Sequence, residues 1–107
     1  MSYLLKIFAA DDITEAERAQ AEQRFRRALE ASLGSETLVV PAYQTYLRLL
    51  QIYGGQARPW PVSPAEQLVV VQWEEAETAA TRAAFGAERY MGDAHYELSL
   101  LPKAGVP

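Results

Sequence analysis

His95 is the only histidine among the 107 residues, so it is the one side chain whose ordinary pKa allows proton transfer near neutral pH. Glu97 follows two residues later, which in a strand places both side chains on one face of the sheet. Glu74, near the end of another predicted strand, is a second carboxylate that could orient the imidazole. The candidate catalytic residues are therefore His95, Glu97 and Glu74. The alternative is an ordinary solvated or interface histidine beside surface acids.

Aromatic and polar side chains supply candidate binding residues. Tyrosine combines an apolar ring with a polar tip, which suits the mouth of a pocket, although tyrosines at helical spacing also pack as one face of an amphipathic helix. Trp60 lies in a loop rich in Gly and Pro and either packs over the edge of the core or anchors a partner. Together with polar groups expected near His95, the candidate ligand- or partner-binding residues are Lys6, Gln72, Trp60, Tyr43 and Tyr46.

Other chemistries lack the residues that they require. The chain has no cysteine, which excludes a disulfide scaffold, a thiolate zinc site and a cysteine nucleophile. Gly54 and Gly55 follow a predicted helix, whereas a phosphate-binding loop leads from a strand into a helix N-terminus. With a single histidine and no metal-binding motif, we expect neither a metal nor another cofactor.

Charge and hydrophobic patterning limit the possible partners. Ten Lys and Arg residues stand against 14 Asp and Glu residues, a formal net charge of −4, and nucleic-acid binding needs the opposite excess. The longest aliphatic run covers residues 68–71, far short of the roughly 20 residues of a membrane span. We therefore expect a cytoplasmic protein of bacterial type that binds neither nucleic acid nor membrane.

The first third of the chain predicts a strand and a helix. Residues 3–9 combine aromatic and aliphatic side chains and stop before two aspartates, which is typical of a strand. Thr14 and Glu17 have the spacing of a capping box, in which each side chain satisfies a free backbone N–H of the first turn. Gly34 can adopt the left-handed conformation that ends such a helix.

Further elements are predicted after Gly34. Residues 42–53 place apolar side chains at helical spacing and predict a helix, with a strand of a dozen residues as the alternative. A β-branched and aromatic run predicts the most regular strand, and an alanine-rich stretch predicts the third helix. The complete set is a short strand at 36–40, a helix at 42–53, a strand at 66–75, a helix at 75–85 that stops at Gly86, and a last strand at 95–101.

Strands near both ends of the chain, separated by helices, predict one mainly antiparallel sheet with the helices on one face. The expected fold class is α+β: a ferredoxin-like two-layer sandwich with an extra helix at 42–53. It forms one domain over residues 1–107, of which 103–107 fray. The periodicities predict a core made of Phe25, Leu29, Leu47, Leu50, Val69, Val71, Trp73, Phe85 and Leu98.

The helix-free face of this predicted sheet is mixed in polarity. By strand alternation it carries Leu4, Phe8, Leu68 and Val70 beside Lys6, Gln72, Glu74, His95 and Glu97. Such a face is too apolar to be left in water, and symmetric pairs are the commonest oligomers. We therefore expect a homodimer that packs sheet against sheet around a polar cluster.

Residues 54–101 resemble the dimeric α+β barrel superfamily. The resemblance rests on Gly54-Gly55 before a Pro-rich loop, the run from Leu68 to Trp73, the segment Glu74-Glu75-Ala76-Glu77-Thr78-Ala79-Ala80, and Glu88-Arg89-Tyr90 before the last strand. It implies two ferredoxin-like sheets paired into a barrel whose interior can hold a ligand. Residues 36–53 depart from the pattern, because that superfamily usually reaches its second strand without an extra helix.

The expected function is a small binding or interaction module, homodimeric, that contacts a protein partner or a small hydrophobic ligand through the sheet face or the Trp60 loop. The alternative is a cofactor-free dimeric α+β barrel enzyme acting on a small hydrophobic substrate, with His95 as proton carrier. The element order and acidity also resemble barstar-like inhibitors, which implies an inhibitor or immunity protein. Those inhibitors present acids on their second helix, and residues 42–53 contain none.

Overall fold

The computed structural model describes residues 3–9, 14–91 and 96–102. In chain order these form strand β1 (Tyr3–Ala9), helix α1 (Glu15–Leu33), a 3₁₀ turn (Glu36–Leu38), helix α2 (Val39–Tyr53), helix α3 (Pro64–Met91) and strand β2 (Tyr96–Pro102). The described part of the chain is therefore mostly helical, with a single two-stranded sheet.

The two terminal strands pair with each other. β1 and β2 are antiparallel, with Tyr3 opposite Pro102 and Lys6 opposite Ser99. Three β1 side chains belong to the buried core: Tyr3, Leu5 and Ile7. The strands predicted near both ends of the chain are thus confirmed.

α1 begins and ends as the sequence predicts. Thr14 Oγ1 accepts a hydrogen bond from the Glu17 N–H at 3.1 Å, and the Glu17 carboxylate accepts one from the Thr14 N–H at 3.3 Å. Gly34 ends the helix in the left-handed conformation, with φ 95° and ψ −15°, which costs glycine little because it has no Cβ. Phe25 and Leu29 are fully buried on the inner face, as predicted.

The predicted strand at 36–40 is wrong, and the helix at 42–53 is confirmed. The Ser35 hydroxyl accepts a hydrogen bond from the Thr37 N–H at 3.2 Å, which starts the 3₁₀ turn. Val39, a fully buried residue, then begins α2. The side-chain cap of Ser35 therefore turns the β-branched segment into the entry of a helix.

The predicted fold class is also wrong, because α3 is a helix where the sequence predicts a strand. The strand expected at 66–75 and the helix expected at 75–85 form one continuous helix, which is regular until Gly86 (φ 84°, ψ 160°). With no third strand among the described residues, the sheet has only β1 and β2. This overturns the α+β, ferredoxin-like sandwich and the dimeric α+β barrel architecture that was inferred with it.

The start of α3 explains this outcome. The Ser63 hydroxyl accepts a hydrogen bond from the Glu66 N–H at 3.2 Å, and Glu66 Oε1 accepts one from the Ser63 N–H at 3.2 Å, a second capping box. Pro64 occupies the first helical position, where its missing N–H costs nothing. Buried side chains then recur at helical spacing: Val70, Trp73, Ala76, Ala80 and Ala84.

Because residues 66–75 follow a helical and not a strand period, the observed core differs from the predicted one. Trp73 is fully buried, as predicted, together with Phe25 and Leu29. The predictions for Leu50 and Val71 are wrong, since these side chains are 37% and 40% exposed. The remaining three described positions, Leu47, Val69 and Phe85, are half-buried. Leu98 lies in β2, but its side chain is outside the described part of the structure.

Glu66 links the start of α3 to α2, because its Oε2 accepts a hydrogen bond from Arg48 Nη2 at 2.9 Å. This bond is the largest cause that lowers the pKa of the Glu66 carboxyl, and the hydrogen bonds from Ser63 are the next largest. A depressed folded-state pKa stabilises the fold above the unfolded-state pKa, and the contribution is lost as pH falls through the folded-state value. We expect Arg48→Met to raise the Glu66 pKa toward that of an ordinary glutamate, as measured by NMR titration.

The matched control is Arg24→Met, an exposed arginine of α1, which should leave the Glu66 titration unchanged. An equal Glu66 pKa in the wild type and in Arg48→Met would contradict this assignment.

Candidate functional site

The proposed catalytic residues do not come together on one sheet face. Glu74 and Gln72 lie on α3, whereas Lys6 is exposed on β1. Glu97 lies in β2, and His95 is outside the described residues. The predicted polar cluster on a common sheet face is therefore wrong for its two α3 members, because it required residues 66–75 to be a strand.

Glu74 has a structural partner. Its carboxylate accepts two hydrogen bonds from Arg58, one from each terminal guanidinium nitrogen, with Nη2 to Oε2 at 2.8 Å. These bonds raise the pKa of Arg58 and hold the loop before α3 against that helix. The Arg58 guanidinium also lies over the Trp60 ring, 4.4 Å from its centroid. In the described part of the chain, Glu74 thus holds the loop before α3 in place.

Trp60 is packed into the protein. It is 5% exposed and forms a small core with Leu49 and Val70. Its ring stacks on Tyr53 with the centroids 6.1 Å apart, and its Nε1–H donates to the Gln56 carbonyl at 3.3 Å. Of the two readings of this loop tryptophan, packing over the core edge is the one observed, so Trp60 is not displayed to a partner.

Tyr43 and Tyr46 pack on Trp73. Their ring centroids lie 5.1 Å and 6.2 Å from that of Trp73, whose Nε1–H donates to Glu77 Oε1 at 3.1 Å. Burial is the main cause that raises the pKa of both tyrosine hydroxyls, and the charge of Glu77 acts in the same direction on each. Both tyrosines therefore stay neutral and serve as the packing face of α2.

An apolar groove lies between the end of α1, the start of α2 and the first third of α3. Its volume is about 230 Å³, and it is lined by Leu33, Leu38, Pro41, Ala42, Thr45, Val69 and Gln72. No lining residue carries a charge, and the two polar ones, Thr45 and Gln72, can only donate or accept hydrogen bonds. Of these residues, the sequence pattern predicts only Gln72 as a binding residue, on a different face, and Val69 as a core residue.

Exposed leucines continue the apolar surface of the groove. Leu38, in the lining itself, is 50% exposed, and Leu68 is 56% exposed. Leu68 precedes Gln72 by four residues, so the two share one face of α3. Exposed apolar side chains near an uncharged groove are typical of an interaction site. The sequence signal for it was present in residues 64–75, but only when they are read with a helical period.

A second concave surface among the described residues is more open than the groove. An open depression of about 320 Å³ follows one face of α3 and is lined by Glu74, Glu75, Thr78, Ala79 and Arg82. Within the described ranges, no group of three metal-ligating side chains is close enough to hold an ion. None of the helices described is both long and apolar enough to span a bilayer.

No protein-family model, curated protein or solved structure matches this chain.

Proposed function

We propose that this protein is an interaction module that holds a large apolar side chain of a protein partner in the groove between α1, α2 and α3. The observation that carries the proposal is the uncharged lining of that groove in a chain in which 22% of the residues are charged. Half-exposed Leu38 and Leu68 beside the groove would be covered by such a partner.

The volume favours a protein side chain over a small molecule. Pockets for small ligands have roughly 300–1,000 Å³ and enclose most of the ligand, whereas this groove has about 230 Å³ and lies beside exposed leucines. A single tryptophan, phenylalanine or leucine side chain fits the space, and the flanking backbone of the partner would lie on Leu38 and Leu68. The partner segment should itself be uncharged around that side chain, because a buried charge would find no counterion in the lining.

The chemistry of the lining favours binding over catalysis. Thr45 and Gln72 can orient a bound segment through hydrogen bonds, but neither titrates near neutral pH. A small hydrophobic molecule in the same groove is the second candidate, and it would use the same lining with no contact to Leu68.

A random peptide library displayed on phage and selected against the wild-type protein tests this function. We expect the selected peptides to share one large apolar residue with uncharged neighbours. Ala42→Phe fills the groove from α2, and it should weaken binding of these peptides at least tenfold, since burying a large apolar side chain contributes about 1.5–3 kcal/mol. Affinity is measured by calorimetry, and amide shifts on peptide addition should map to residues 38–45 and 68–72.

Ala79→Phe is the matched control, because Ala79 is exposed on α3 outside the groove; it should bind the peptides like the wild type. Gln72→Glu provides a second variant with a charge in the lining and should also weaken binding. Peptides that bind the wild type and Ala42→Phe equally would overturn the proposal. A different result would favour the small-ligand function instead: no peptide is selected, N-acetyl-tryptophanamide binds the wild type, and Leu68→Ala leaves that binding unchanged.

A further inference from the structure

We propose that two copies of this chain join through the outer edge of β2 and form a four-stranded antiparallel sheet in the order β1-β2-β2-β1. The proposal rests on backbone groups of the sheet and is independent of the groove between the helices. Three observations carry it: one edge of the sheet is occupied, no strand among the described residues pairs with the other edge, and that second edge is self-complementary.

The outer edge of β1 is occupied by α1. The Ile7 N–H donates to Glu22 Oε2 of that helix at 2.8 Å, so it points away from β2. Covering the edge of a sheet with a helix, here through a carboxylate that accepts a hydrogen bond from an outward N–H, is one way in which proteins prevent further strands from pairing. Lys6, at the middle of the same strand, would in addition meet its own copy if two β1 strands paired about their centres.

The register shows which groups of β2 point outward. Ile7 lies opposite Leu98, and because the Ile7 N–H is used on the outer side, this is a non-hydrogen-bonded pair. The N–H and C=O of Leu98 therefore point to the outer edge of β2, and by alternation those of Leu100 do so as well. Among the described residues, no strand pairs with this edge. α2 meets β2 on the core side, where Val39 and Leu100 belong to one buried cluster.

A second copy of β2 fits this edge in register. A two-fold axis at Ser99 places Leu98 of one copy opposite Leu100 of the other, where each pair exchanges two N–H···O=C bonds. The three central residues, 98–100, carry no charge, and Pro102, which has no N–H, ends the ladder. Two-fold pairs are also the commonest assemblies.

Light scattering after size exclusion, over a series of concentrations, measures the predicted assembly. The wild type should have about twice the 11.9 kDa chain mass. Ser99→Lys and Ser99→Glu each place like charges against each other at the two-fold axis, so each variant alone should be a monomer. An equimolar mixture of the two should recover the dimer, because opposite charges then meet.

Lys6→Glu is the matched control. Lys6 pairs with Ser99 inside one chain, so this variant reverses a charge in the same row of the sheet without reaching the interface, and it should remain a dimer. Hydrogen exchange adds a readout that needs no variant: the Leu98 and Leu100 amides should gain protection only at concentrations at which the dimer forms.

A wild type that stays monomeric up to 100 µM or above would overturn the proposal. A dimer that survives in both Ser99 variants would also overturn it and would place the interface elsewhere, for example on the sheet face that the sequence analysis considered. If circular dichroism shows that both Ser99 variants are unfolded, hydrogen exchange of the wild type is the deciding test. Exchange rates of the Leu98 and Leu100 amides that do not change with protein concentration would overturn the proposed β2–β2 interface.

Discussion

We expect Trp73→Ala to lower the free energy of unfolding by about 3–5 kcal/mol, the range found when large buried aromatic side chains are truncated. Trp73 is fully buried and belongs to the core formed by α1, α3 and the sheet. The variant leaves a cavity beneath the rings of Tyr43 and Tyr46, and it removes the indole N–H that donates to Glu77. Urea denaturation at neutral pH, with an unchanged m-value, measures the loss.

Leu68→Ala is the control on the same helix. Leu68 is 56% exposed, so its truncation should change the free energy of unfolding by no more than about 0.5 kcal/mol. A loss below about 1 kcal/mol in Trp73→Ala would mean that α3 does not present this face to the core.

We expect Glu75→Pro to cost about 3 kcal/mol or more. Glu75 is exposed in the interior of α3, where proline removes the hydrogen bond to the carbonyl of Val71 and its ring clashes with that carbonyl. The expected cost depends on the helix being continuous. If a strand ended and a helix began at residue 75, as the sequence pattern predicts, proline would stand at the first helical position and would be tolerated.

Glu75→Ala isolates the proline effect, since it removes the same exposed carboxylate while keeping the backbone N–H. It should be neutral to within about 0.5 kcal/mol, and it should keep the helical signal in circular dichroism. Equal stability of Glu75→Pro and Glu75→Ala would contradict a continuous α3 and restore the strand–helix junction.

Local patterns predicted the elements whose signals lie within a few residues of each other. The capping box of Thr14 and Glu17 and the left-handed Gly34 bound α1 as expected, because helix caps are made by neighbouring backbone groups. The terminal strands were predicted for a similar reason: residues 3–9 form an aromatic and aliphatic run, and side chains alternate in polarity along the last strand. These elements needed no knowledge of their partners.

Two local signals disagreed in residues 63–75. The β-branched run 68–71 favours a strand, whereas Ser63, Pro64 and Glu66 have the spacing of a helix start. The strand predicted at 66–75 rests on the first signal, and the structure follows the second. Burial shows why: in a helix, Val70 and Trp73 both reach the interior, and Val71 is left partly exposed at little cost.

The candidate groove could not be predicted from any one segment, because its lining comes from residue 33, residues 38–45 and residues 69–72, which meet only when α1, α2 and α3 pack. Trp60 could not be placed from its own segment either. The Gly- and Pro-rich loop around it is compatible with a buried or an exposed ring, and packing with Leu49 and Val70 buries it. Local sequence was sufficient to predict the caps of α1, the terminal strands and the lack of cysteine chemistry. Residues 66–75 are helical, and the groove forms where it does, because burial against distant residues outweighs intrinsic propensity.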